Sequence, residues 1–132
     1  MAIVRPSALE LQVLGVLWDR GPSPVRAVME VMPDGKERAY TTILSVMQVM
    51  EKKGLLGHTQ QGQAHLYAAK VKRGQVVGPL MKDLLRNVFG GSKADVLQCL
   101  LDGAPADADD LAAIREVIRE AERKAGIEGC GI

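Results

Sequence analysis

A mostly α-helical chain with one β-hairpin near its middle is what the sequence predicts, and three observations carry this. Three apolar stripes at helical spacing lie within the first 54 residues. Gly62-Gln63 then separates two short runs, 55–61 and 64–69. Gly first in a two-residue loop suits a type II′ hairpin turn. A second series of helical stripes runs from Val76 to Ala121. Three helices followed by a hairpin is the order of a winged helix-turn-helix, with the second and third helices as the unit and the hairpin as the wing. The expected architecture is that domain over residues 1–72, followed by a small all-helical dimerisation domain over residues 73–132.

Residues 1–6 read as an arm. Ser7 and Glu10 stand in the spacing of a capping box. Leu9, Val13, Val16 and Leu17 form the first stripe, with Trp18 near its end, and Gly21-Pro22 stops it. Ser23 is expected to cap the second helix, with Pro24 in its first turn. That helix carries Val25, Val28, Met29 and Met32 and is expected to stop at Pro33-Asp34-Gly35. The third, from Ala39, places Ile43, Val46, Met47 and Met50 on one face. It ends with Lys52 and Lys53, favoured by the helix dipole, and Gly54.

Residues 71–74 read as a hinge. Val76, Val77, Leu80, Met81, Leu84, Leu85, Val88 and Phe89 make a broad apolar face, and Gly78-Pro79 is expected to kink this helix or mark its true start. Gly90-Gly91-Ser92 ends it. Val96, Leu97, Leu100 and Leu101 make a short helix. Asp107, with Asp110 three residues on, caps the last, which carries Leu111, Ile114, Val117 and Ile118. In that helix Glu120 and Lys124 form an attractive pair. So many aliphatic side chains on three small helices call for cover, which an interwoven two-fold dimer would supply; the alternative is that the helices fold back onto their own N-terminal domain. The expected dimer interface comprises Val77, Leu80, Met81, Leu84, Leu85, Val88, Phe89, Leu111, Ile114 and Ile118.

Of 132 residues, 47% are hydrophobic and 25% charged, values of a soluble globular chain, and at 3% aromatic content the core must be aliphatic. No apolar run approaches the roughly 18 residues of a membrane span, and no signal-peptide pattern opens the chain, so a cytoplasmic protein without membrane insertion is expected. Residues 1–72 carry nine Lys/Arg and six Asp/Glu, against eight and ten in residues 73–132. The first part is thus mildly basic and the second mildly acidic, the sign and place expected of a nucleic-acid reader.

The third helix carries the chemistry. Thr41, Thr42 and Ser45 are short and adaptable, suited to close approach to phosphates and base edges. Gln48 extends the same polar surface. Tyr40 stands at the helix entrance, where its hydroxyl can bond a phosphate. Arg26, Lys36, Arg38, Lys52 and Lys53 are candidate phosphate partners, and Gln63 and His65 are the wing's contributors. His65 and Tyr67 share a strand face, which His58 joins in one register only. Two histidines without a nearby Cys, Asp or Glu make a poor metal site. Nothing has catalytic spacing, and no phosphate-binding glycine loop is present. No catalytic residue, metal or cofactor is therefore expected. Cys99, in an apolar run, reads as a small core residue and Cys130 as exposed, both as free thiols.

The chain resembles the BlaI/MecI penicillinase-repressor family of bacterial transcription repressors. The matching residues are Glu10 with Val13-Leu14 through Leu17-Trp18, Gly21-Pro22 with Val25-Arg26 and Val28, and Ala39-Tyr40-Thr41-Thr42-Ile43. Further on they are Lys53-Gly54-Leu55, Gly62 with Ala64-His65 and Tyr67, and Phe89-Gly90-Gly91-Ser92. The resemblance implies a winged-helix DNA-binding domain, a helical dimerisation domain, and repression through inverted-repeat operators that often contain TACA/TGTA half-sites. It also implies release by proteolysis in the dimerisation domain, downstream of a membrane sensor. The chain departs from the family pattern at three places. Val49 stands where many members carry Arg, and Gln63 where the wing is often basic. The comparable stretch to the Asn-Phe cleavage pair reads Val96-Leu97-Gln98-Cys99. A winged-helix protein-interaction module without specific DNA binding is the alternative reading.

Overall fold

The computed structural model describes residues 5–126. Its elements run α1 (Ala8–Arg20), α2 (Val25–Glu30), α3 (Tyr40–Lys52), β1 (Leu56–Gln61), β2 (Ala64–Ala69), α4 (Arg73–Asn87), α5 (Lys93–Gly103) and α6 (Ala108–Lys124). Contacts divide the chain into two compact units, Met1–Asp83 and Leu84–Ile132.

In the first unit α1 begins with the expected capping box. Ser7 Oγ accepts from the Glu10 backbone N–H at 3.2 Å, and Glu10 Oε1 accepts from the Ser7 N–H at 2.8 Å. Val13, Leu14, Val16 and Leu17 then enter the core, joined by Val25, Val28, Met32, Ile43, Met47, Met50, Leu55, Leu56, Tyr67 and Val76. In α1 the cap and the buried residues agree on where the helix starts and which face turns inward. β1 and β2 pair antiparallel, with Gln61 opposite Ala64, so Gly62 and Gln63 form a two-residue loop. Gly62 has φ +64° and, among the described residues, no non-glycine residue has positive φ, which matches a type II′ turn and not a type I′.

Three expectations about this unit need correction. Ser23 does not cap α2. Its backbone is extended and pairs with Tyr67 through two 2.9 Å hydrogen bonds, and its hydroxyl donates to the Gly21 carbonyl, leaving Pro24 at the N-cap without a side-chain bond. The second helix stops at Glu30, so Met32 reaches the core from the turn beyond. Residues 71–74 are not a hinge. Trp18 Nε1 donates to the Val71 carbonyl at 2.9 Å, Arg73 starts α4 while its guanidinium lies over the Trp18 ring, and Val76 is buried in the core. The first unit therefore runs on to Asp83, past the expected boundary at 72. Arg5, from the expected arm, pairs with Asp83.

Helix α4 continues through Gly78-Pro79, so Pro79 does not mark its start. In the second unit, Ser92 caps α5 by accepting from the Asp95 N–H, and Asp107 and Asp110 cap α6 reciprocally. Glu120 pairs with Arg123 at 3.2 Å, one residue short of the expected Lys124. Cys99 is exposed, not buried: it lies with Asp95 and Asp102 on the face of α5 opposite Val96, Leu97 and Leu101. Cys130 lies outside the described residues. Among the described residues of this unit no side chain is buried, and Val88 (67% exposed) and Val117 (68%) stand open. No helix among the described residues is long and apolar enough to cross a membrane.

Candidate nucleic-acid interface

Helix α3 is presented outward by its burial pattern. Ile43, Met47 and Met50 anchor one face in the core, while Thr41, Thr42, Ser45, Gln48, Val49 and Lys52 form the exposed opposite face. Its start is uncapped by any side chain, because Ala39 occupies the N-cap. Its end is a Schellman turn. Gly54, at φ +84°, donates to Glu51 O, and Leu55 donates to Met50 O at 3.0 Å. Leu55 and Met50 are both buried, which supplies the hydrophobic contact such turns use.

Two networks hold α3 to the rest of the first unit. In the turn before it, Asp34 accepts from both guanidinium nitrogens of Arg38, at 3.1 and 2.6 Å, from the Lys36 N–H and from the Gln12 amide. The Arg38 guanidinium, with the other donors, holds the Asp34 carboxyl well below the usual carboxylate range. At the other end, Lys53 Nζ bonds both Glu10 oxygens, at 3.0 and 3.2 Å. Burial opposes the ionisation of Glu10, and the Ser7 N–H and Lys53 outweigh it, so this carboxyl is also lowered.

The wing meets α3 through a ring cluster. The register sets His58 opposite Tyr67, the one that brings His58 onto the face of His65. The His58 and His65 rings stack at 4.7 Å, and Glu51 Oε2 lies 2.6 Å from His58 Nδ1. Tyr67 is buried beneath them. Burial, with Glu51 and Tyr40 nearby, pushes its hydroxyl pKa up. Among the described residues no group of three or more His, Cys, Asp or Glu could hold a metal ion.

Between α2, α3 and the wing lies a groove of about 560 Å³. It gathers Arg26, Tyr40, Gln48, Gln63 and His65, five of the expected contact residues. The Arg26 guanidinium sits 5.4 Å from the centre of the Tyr40 ring. Thr41, Thr42, Ser45 and Lys52 lie on the exposed strip of α3, and Lys52 makes no ion pair among the described residues. Arg38 and Lys53 are placed differently. Both are engaged in ion pairs that shape the scaffold, and the Arg38 side chain is only 17% exposed. The sequence reading missed Leu44, which lines the groove between Tyr40 and Gln48. Its position, four residues from each, was the available signal. It also missed the Glu51–His58 contact, which joins two elements.

A family model described as penicillinase repressor matches residues 6–120. The transcriptional regulator BlaI of Mycobacterium tuberculosis is 34% identical over 122 residues, covering 91% of this chain and 87% of that protein. Among solved structures, the complex structure of hsRosR-S4 aligns over 96% of both chains with TM-score 0.52 and 18% identity, a likeness of fold. The solution structure of the DNA-binding domain of the repressor BlaI aligns over 57% of this chain and 93% of that domain, at TM-score 0.49 and 24% identity.

Proposed function

Because the chain belongs to the penicillinase repressor family, we propose that it is a dimeric transcriptional repressor that binds inverted-repeat operator DNA through α3 and the wing. The observation that carries this reading is the outward face of α3. Three hydroxyl residues, Thr41, Thr42 and Ser45, stand exposed over a firmly buried underside, next to a groove that ends on the wing. In the major groove these hydroxyls and the Gln48 amide can pair with base edges. The uncapped start of α3 offers backbone N–H donors to a phosphate. Arg26, Lys36 and Lys52 are the cations free to meet the backbone, whereas Arg38 and Lys53 position the helix.

A pair of half-sites needs a pair of readers. The described residues of the second unit bury no side chain, so its aliphatic surface on the last turn of α4 and on α5 and α6 is available to a second copy. Release by proteolysis belongs to the same reading. Val96–Cys99 lacks the Asn-Phe pair, and a cut at any bond of α5 requires that helix to open first; it would sever α6 from α4 and weaken the pairing.

The test is fluorescence anisotropy of the full chain with labelled duplex from upstream of its own gene and with a TACA/TGTA dyad, at two salt concentrations. Specific binding to a dyad, weakening with salt and lost in Thr42→Ala, is expected. No binding to either duplex at low salt overturns the reading in favour of a protein-interaction module.

A further inference from the structure

We propose that Val49 is a base-reading residue, its side chain packing on the C5-methyl group of a thymine in the half-site. This deepens the DNA-binding reading and rests on it. Six side chains form the outward face of α3, and five are polar. Val49 is the sixth, 45% exposed. It stands one turn beyond Ser45 and three residues before Lys52, between a candidate base-reading hydroxyl and the free cation of the strip. It gives nothing to the core, which α3 reaches through Ile43, Met47 and Met50. As a β-branched residue it also adds nothing to helix propensity.

The chemistry of the surface it faces decides what it recognises. Phosphates and most base edges present donors, acceptors or charge, none of which an isopropyl group can pair. The thymine methyl is the apolar group of the major-groove code. From Thr42 to Val49 the helix advances about 10 Å. That is about three base-pair steps, so both residues can read one half-site. A valine here selects a thymine where a polar residue would select a hydrogen-bonding edge.

The experiment uses the full chain and the duplex it binds. Thymines of one half-site are replaced singly by deoxyuridine, which removes only the methyl group. One position is expected to weaken wild-type binding about fourfold, the value of one buried methyl. At that position Val49→Ala is expected to bind the thymine and deoxyuridine duplexes equally, with a thermal midpoint no lower than the wild type's, because the side chain lies outside the core and alanine favours the helix. A flat scan in the wild type overturns the proposal. So does a methyl effect that persists in Val49→Ala, which would belong to Thr41 or Thr42. Specific binding with a flat scan removes this inference alone, whereas absence of specific binding to any duplex removes the DNA-binding reading with it.

Discussion

Glu10 is where one substitution tests the scaffold behind the interface. Its carboxylate sits almost fully buried and serves two partners, the Ser7 N–H at 2.8 Å and the Lys53 ammonium at 3.0 Å. Glu10→Gln keeps the shape and an acceptor for Ser7 but removes the charge that Lys53 faces. Hydrogen bonds to a charged group contribute about 1.5–3 kcal/mol. Lys53 is one-third exposed and can turn to water, so the expected loss is about 1–2 kcal/mol. Glu10→Ala also removes half of the capping box, adding about 1 kcal/mol. Chemical denaturation followed by circular dichroism at pH 7 reads both values. The pH dependence gives an independent check. The folded carboxyl is lowered from its ordinary value of 4.5, so its stabilisation is complete above that pH and fades as pH falls through the lower folded value. The gap between wild type and Glu10→Gln should close in acid. A Glu10→Gln protein within about 0.5 kcal/mol of wild type at pH 7, or a gap that does not narrow below pH 4.5, refutes the reasoning.

Neighbouring lysines provide a sharper test of the interface. Lys52→Gln should reduce the salt slope of DNA binding by about 0.9, while Lys53→Gln should leave the slope unchanged and lower the thermal midpoint. Equal slopes in the two variants would contradict the division of labour between them. Under the proposed dimer, Val88→Glu and Val117→Glu place charge on exposed apolar positions, and sedimentation velocity should show a dimer for the wild type and monomers for both variants; a wild-type monomer, or dimers unaffected by both changes, would contradict the proposed interface. Gly62→Ala forces a side chain into φ +64° at the wing turn and should cost about 1 kcal/mol. Hydrogen exchange across β1 and β2 would detect that loosening, and unchanged protection would exclude the turn geometry described here.

Local chemistry made most of the helix and hairpin boundaries legible. Ser7 with Glu10, Asp107 with Asp110, and the stops at Gly54 and Gly62 act within a few residues, so their partners are visible in the sequence itself. The apolar spacing of α3 likewise fixed which face turns inward. What escaped was set by distant segments. Ser23 looked like a cap, but Tyr67, across the fold, takes both of its backbone hydrogen bonds. Cys99 sat in an apolar run whose helical phase turns it outward. Val76 belonged by pattern to the second region and by packing to the first.

The charges show the same limit with more consequence for function. By position alone, Arg38, Lys52 and Lys53 were equivalent cations flanking or ending one helix. Glu10 lies 43 residues from Lys53, and nothing local announces that pairing. Once Glu10 and Asp34 take Lys53 and Arg38, the exposed strip of α3 keeps a single cation, Lys52, beside hydroxyls, an amide and Val49. A surface so sparing of charge gains little from phosphates through α3 itself. Under the proposed reading, its discrimination must come from short-range fit to base edges, and its backbone attraction from Arg26 and Lys36 at the margins. Low sensitivity to salt, relative to readers that line their helix with arginine, is the behaviour this distribution implies.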